Sequence, residues 1–328
     1  MVPTRMNADG RDFAIDGDLL AADAGGWRNL GLWRASGQIT ALAQQRTPES
    51  LSSPDSISTA QANDISCAAA EEGLCLSRGT VDLSAINSGA QHLLSYRDAA
   101  TALARAVGHA ANLSADDHLL ELACGHGEGL ALWRREFGIT TATGMDCQRD
   151  CIDVLSAEQA VHGRFDTLPL PDGITAQDYD AVLCVDAAYH ATSLADFASV
   201  AASALRSEGR LAFTTLMATA AFASKPAALR RGLERLLAAA HIPAASIQDD
   251  AGLRTTLKTA GFTHITVHLL DADVLDGFAD HIERRRRELP WPVRLRPAWF
   301  KIRLTATLCR QVQAQELLHY VLVSAEKG

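Results

Sequence analysis

The sequence predicts an α/β protein with a doubly wound, mostly parallel sheet, and three observations carry that expectation. Leu119, Leu120, Leu122 and Ala123 make an apolar run that breaks into Gly125, Gly127 and Gly129 and reopens as a helix at Ala131, Leu132 and Trp133. Segments of strand length recur at 140–145, 180–185 and 211–216, the last two rich in apolar residues. Leu194, Phe197, Val200, Ala201 and Leu205 place a helical face between the last two. Strands that alternate with helices pair in parallel, because each crossover helix returns the chain to the same end of the sheet. The 328 residues, 48% of them hydrophobic, suffice for one large domain with additions or for two small ones.

The glycine loop is the most telling local feature. Glycines let the backbone approach a ligand and keep Cβ atoms out of its way. A strand, glycine loop and helix near the start of such a sheet is where nucleotide-like cofactors sit, although a plain turn would use the same residues. A dinucleotide site calls for Gly-x-Gly-x-x-Gly, and Leu130 stands where its third glycine belongs. Glu121 precedes the loop; a pyrophosphate has no use for that carboxylate, whereas a ligand carrying an ammonium and a sulfonium does. Asp146 ends the next strand, about 20 residues beyond the loop, where it can hydrogen-bond both hydroxyls of a ribose. The loop resembles motif I of the class I S-adenosylmethionine (SAM) methyltransferases, Glu/Asp-x-Gly-x-Gly-x-Gly, with Ala123 at the first glycine.

Further segments resemble the same family in the same order. Phe165-Asp166-Thr167-Leu168-Pro169-Leu170-Pro171-Asp172-Gly173 is similar to its D-x-x-x-LPF run with a shorter spacer. That likeness implies that Asp166 receives the adenine amino group. The run from Ala204 to Leu216, with its turn at Ser207-Glu208-Gly209-Arg210, is similar to the LrPGGrl step. Leu257, Ala260, Gly261 and Phe262 resemble the L-x-x-AGF step before a sixth strand at 263–270. The resemblance implies SAM as cofactor, held by Glu121, Ala123, Gly125, Gly127, Asp146, Asp166 and Asp186. It also implies seven strands, with the last, at 317–325, inserted antiparallel.

The chain divides into three parts. Residues 1–92 form an N-terminal extension. Its Gly26-Trp27-Arg28-Asn29-Leu30-Gly31-Leu32-Trp33 segment is similar to the NLGYW segment that folds over the cofactor in small-molecule methyltransferases, which implies a substrate contact for Trp33. Tryptophans packing the tail onto the core are the alternative. The Ser-, Pro- and Asp-rich stretch 47–66 reads as a loop or disordered insertion. Residues 93–216 form the SAM-binding core, led by an amphipathic helix from Tyr96 to about 110. Residues 217–328 hold a helix at 226–240, another at 250–260 closed by Gly261, a third at 273–288, and the last strands. In sterol-, tocopherol- and sugar-modifying relatives, helices at this place cap the active site.

Composition sets further bounds. A net charge of −9 argues against a nucleic-acid partner. No apolar run reaches 18 residues, so no membrane span is expected, and no signal peptide is visible. Seven cysteines without regular spacing fit a reducing compartment, and the expected location is cytoplasmic. Cys147 and Cys151, four apart, lack clustered partners, and no metal site is expected. Arg284, Arg285, Arg286 and Arg287, followed by Arg294, Arg296, Lys301 and Arg303, form a basic cluster. It reads as a dock for an acidic substrate, as a peripheral membrane contact, or as a solvated helix face.

The expected activity is methyl transfer from SAM to a small organic molecule: a secondary metabolite, a lipid-like compound or a sugar. A neutral hydroxyl acceptor needs a base, and His190, ending the fourth strand, is the candidate, with Tyr189 lining the methyl channel or holding substrate. His190 therefore favours O-methylation; simple packing of Tyr189 and His190 under the cap is the alternative. Two rival classes stand: an NAD(P)-dependent oxidoreductase on a similar sheet, and a non-catalytic SAM-fold binding protein.

Overall fold

A computed structural model describes residues 17–22, 24–34, 94–156 and 159–328. The expectations for 47–66 lie outside the described residues. The elements are α1 (Gly17–Leu20), α2 (Tyr96–Ala110), β1 (His118–Leu122), α3 (Glu128–Phe137), β2 (Thr141–Asp146), α4 (Arg149–Ile152), β3 (Ala160–His162), β4 (Tyr179–Cys184), α5 (Leu194–Ala204), β5 (Leu205–Ala218), α6 (Ala227–Ala239), α7 (Asp250–Thr259), β6 (Phe262–Leu269), α8 (Gly277–Glu288), α9 (Pro297–Ala314) and β7 (Leu318–Lys327).

Local chemistry sets many of the boundaries. Ser95, Ser193 and Asp249 each cap a helix by accepting a backbone N–H three residues on, from Asp98, Asp196 and Gly252. The first turn of each helix would otherwise leave donors unpaired. Gly138 ends α3 at φ 74, a left-handed conformation that a side chain would resist.

The seven strands run in the order β3-β2-β1-β4-β5-β7-β6. β3, β2, β1, β4 and β5 are parallel, and β7 enters antiparallel between β5 and β6. The fold is the expected doubly wound sheet with an antiparallel last strand. One face is packed by α2, α3, α8, α9 and the N-terminal residues 19–21 and 24–33, the other by α5 and α7. The order reverses between β1 and β4, and the carboxyl ends of these strands open a crevice there.

The structure corrects two expectations and adds one helix. The turn at 207–210 is an excursion inside β5: Tyr179 pairs with Leu205, then Ala181 with Arg210, so the strand is already hydrogen-bonded before the excursion. Pro226 caps α6 from outside rather than standing as its first residue. The basic cluster beyond Arg294 is largely helix: Trp299, Ile302, Ala306, Cys309 and Val312 form the buried face of the 18-residue α9.

Trp33 fastens the N-terminal segment. Its backbone N–H donates to Asp273 (2.8 Å), its ring stacks on His281 (4.5 Å between centroids), and Nε1 donates to the Leu30 carbonyl. Gly277 faces that ring so closely that an added Cβ would fall inside any real contact distance of Trp33. Gly277→Ala is therefore expected to lower stability by about 1–3 kcal/mol, the usual range for overpacking. A urea midpoint equal to wild type would show that α8 does not clamp the segment.

Candidate active site

The crevice between β1 and β4 is the mouth of a cavity of about 290 Å³. β1 delivers its floor. Ala123 leaves the strand at φ 58 and Gly125 follows at φ 53, both left-handed. For alanine that conformation costs roughly 1–2 kcal/mol. A Cβ on Gly125 would meet no protein atom within 4 Å and would project into open cavity. Gly127 and Gly129 do other work. Gly127, the N-cap of α3 at φ 83, would place a Cβ 2.7 Å from Leu155 Cδ2. It is not among the residues that line the cavity. Gly129 has no room for a Cβ because the Glu121 carboxylate lies against it.

The acids that sequence reading singled out all line this cavity. Glu121 is buried, and its Oε2 accepts from Trp133 Nε1 at 2.9 Å. Burial pushes its carboxyl up to about 8, against the pull of that bond, and the Asp146 charge adds to the rise. Asp146 accepts from the backbone N–H of Gly125 (2.9 Å) and of Gln148 (2.8 Å), so it shapes the loop while facing the cavity. Burial raises its carboxyl too, and those two bonds oppose the rise.

Asp166 is held differently. Its carboxylate accepts from Arg164 twice (3.0 and 2.8 Å), from the N–H and Oγ1 of Thr192 (2.7 and 2.8 Å) and from Thr167 Oγ1. Burial would raise its pKa, but the Arg164 and Thr192 bonds outweigh that and hold it below the ordinary value. These contacts make Asp166 a strut between the segment after β3 and the start of α5.

Asp186 leaves β4 at φ 56 and accepts from the Leu30 N–H (2.6 Å), Tyr189 Oη (2.8 Å) and Tyr320 Oη (2.6 Å). Burial lifts its carboxyl to about 6 against those bonds. The Leu30 contact draws residues 26–30 across the cavity, where Trp27, not Trp33, lines it. Trp33 is thus corrected from substrate contact to packing residue: its ring is used up by His281, Leu30 and Gly277. Sequence reading missed Tyr320, whose role depends on β7 lying beside β5.

Tyr189 and His190 occupy a short helical turn at Ala188–His190. The Tyr189 hydroxyl is committed to Asp186. His190 Nδ1 lies 3.0 Å from the His241 carbonyl. Burial presses its pKa down to about 4, the His241 bond opposing and Lys301 adding to the fall, so its imidazole is neutral near pH 7. Leu236, Leu237, Ile242, Leu304 and Leu308 form the wall beyond it, from α6, α9 and the loop between α6 and α7.

A family model described as a methyltransferase domain matches residues 91–267, more than half of the chain. The protein has the class I SAM methyltransferase fold and belongs to that methyltransferase-domain family. A search of curated protein sequences finds no match. Similar solved structures include geranyl diphosphate C-methyltransferase from Streptomyces coelicolor A3(2), in complex with S-adenosyl-L-homocysteine. It is 15% identical, with a TM-score of 0.55, over 71% of this chain and 81% of that one. The cyclopropane synthase MmaA2 from Mycobacterium tuberculosis is 14% identical, with a TM-score of 0.55, over 70% and 85%. Phosphoethanolamine N-methyltransferase 2 from Haemonchus contortus, in complex with SAM, is 14% identical, with a TM-score of 0.55, over 68% and 52%. The family match sets aside the oxidoreductase reading.

Glu121 gives the site a pH signature. An unfolded glutamate ionises near 4.5, but in the fold this carboxyl holds its proton to about 8. Within that window the folded chain binds a proton that the unfolded chain has released, so stability falls as pH rises through it. Glu121→Gln keeps an acceptor for Trp133 and removes the titration. Urea midpoints of the variant are expected to lose that part of the decline, and an unaltered slope would show that Glu121 ionises normally.

Proposed function

We propose that the protein transfers the methyl group of SAM to a small organic molecule with a mostly apolar body, a secondary metabolite or lipid-like compound rather than a sugar. The observation that carries this reading is one continuous cavity lined at one end by Gly125 and Asp146 and at the other by His190 and the leucine wall. The residues fit the cofactor: the open side of Gly125 leaves space that a Cβ would fill, and two acids stand around it. Asp146 would hold the ribose hydroxyls and Glu121 the ammonium, whose charge would favour the ionised carboxylate over the neutral acid, while Asp166 and Asp186 would act by bracing the walls.

Bound there, the cofactor supplies a methyl group already activated on a sulfonium. What remains for the chain is positioning, exclusion of water and care of a proton. Residues 26–30 cover one end of the cavity, and α6 and α9 cover the other. An Nδ1–H that donates to the His241 carbonyl selects the tautomer in which His190 Nε2 carries the lone pair. In this reading that atom takes the proton of an acceptor hydroxyl, which favours O-methylation. The depressed pKa of His190 and the apolar wall favour a second reading, a carbon acceptor that needs little help from a base.

Asp146→Ala removes a charged acceptor and should weaken SAM binding about 10- to 150-fold, the equivalent of roughly 1.5–3 kcal/mol. Gly125→Val should abolish binding with little loss of stability, whereas Gly127→Val should destabilise the fold through Leu155. Calorimetric titration with SAM beside thermal melts reads both; normal binding by Gly125→Val would remove the loop from the site.

His190→Ala should leave SAM affinity nearly unchanged and slow turnover by roughly 10²–10⁴-fold if the acceptor is a hydroxyl. The wild-type rate should then fall only as pH drops towards about 4, where the imidazole gains its proton, and stay level through neutrality. A small effect of the substitution would move the acceptor atom from oxygen to carbon or nitrogen, and lost SAM binding would make His190 structural.

A further inference from the structure

We propose that the protein docks on anionic lipid membranes through the tip formed by the α8–α9 connection and the outer face of α9. Seven large hydrophobic side chains stand exposed among the described residues, and four of them fall within 291–304. Trp291, Leu295 and Phe300 are 71%, 72% and 68% exposed and Leu304, which also lines the cavity, 38%, whereas Val154, Leu168 and Leu269 are scattered over other parts of the chain. Phe300 and Leu304 lie one helical turn apart, opposite the buried Trp299, Ile302 and Ala306. Among the described residues, no packing calls for an apolar tip of this kind. Contiguous exposed apolar surface marks an interaction site.

Its charge says what it meets. Residues 284–303 hold seven arginines and one lysine against a single acid, Glu288, in a chain of net charge −9. Part of this cluster is used internally: Arg286 pairs with Glu283, Arg285 with Glu288, Arg294 donates to the Leu289 carbonyl, and Arg284 lies over the Trp33 ring. Arg296 and Arg303, exposed on either side of Phe300, have no ion-pair partner among the described residues. Arginines flanking Trp, Phe and Leu on one surface are what an interfacial helix presents to acidic headgroups. A second copy of the chain is the poorer occupant, because a two-fold contact would set one arginine cluster against the other. No described helix is long and apolar enough to cross a membrane, so the contact is peripheral.

The tip is continuous with the cavity. Lys301, Leu304, Thr305 and Leu308 line it from the same helix that carries Phe300. A lipophilic acceptor could therefore pass from the bilayer along α9 to His190 without crossing water. This route rests on the proposed function; the docking itself does not.

Sedimentation with vesicles tests the docking. The full chain should bind phosphatidylcholine vesicles containing phosphatidylglycerol and bind pure phosphatidylcholine at least about tenfold less, with high salt weakening the first. Trp291 emission should shift to the blue, since Trp27, Trp33, Trp133 and Trp299 are already buried. The double variants Trp291→Ser with Phe300→Ser, and Arg296→Glu with Arg303→Glu, should each lower partition at least about tenfold while keeping the melting temperature and SAM affinity of wild type. Three results would overturn the proposal: no binding to anionic vesicles, equal binding by both variants, or a wild-type dimer in sedimentation that the Trp291/Phe300 variant dissolves. Vesicle binding without methyl transfer to any acceptor would sink the catalytic reading and leave the docking standing.

Discussion

The carboxylate of Asp186 joins three parts of the molecule that are distant in sequence. It accepts from the Leu30 N–H of the N-terminal segment, from Tyr189 in the turn that carries His190, and from Tyr320 on the antiparallel strand β7. Its own backbone N–H donates to Thr214 on β5. Burial alone would favour the neutral acid, and the three donors offset it. Removing any one of them leaves charge in a low-dielectric place with less compensation, so the covering segment, the turn and the sheet edge are energetically coupled. The cavity owes its closed end to this carboxylate as much as to apolar packing.

Backbone strain gathers at the same strand ends. Ala123 after β1 and Asp186 after β4 both adopt left-handed conformations without being glycine. Such residues persist where surrounding bonds over-determine them, and here Asp186 has its donors and Ala123 its neighbour Gly125, bonded to Asp146. The three loop glycines, alike in sequence, are glycine for three reasons. Gly125 keeps the cavity open, Gly127 avoids Leu155, and Gly129 makes room for the Glu121 carboxylate. In this chain the motif is therefore one opening onto the cavity and two packing constraints in a single short run.

The far end of the cavity is built from elements outside the strand–helix alternation. α6 and α9 supply mostly leucines and other apolar groups, with Lys301 and Thr305 of α9 as polar exceptions. A wall of that kind selects by shape and apolar area and orients the acceptor weakly. His190 and its carbonyl partner are the directional feature set into it, which is why the acceptor atom hangs on the behaviour of one imidazole.

Local information was enough for the sheet core. The apolar runs of β1 and β4, the helical spacing of α2, α5 and α7, and the caps at Ser95, Ser193 and Asp249 are all written within a few residues of where they act. The glycine loop, Glu121 and Asp146 were legible for the same reason, since a strand end and the turn beside it share one short segment. α9 escaped because its exposed Phe300 and Leu304 blur the amphipathic period, and β3 because three residues carry no period. Which side chains face the cavity was decided by contacts across long separations. Leu30 and Asp186 are 156 residues apart, and Tyr320 and Asp186 are 134 apart. Trp33 turned away from the site because Gly277 and His281 receive its ring, whereas Asp166 lines the cavity with its oxygens already engaged by Arg164 and Thr192. Sequence periodicity fixes which face of an element is buried; only the packed fold fixes what that face is buried against.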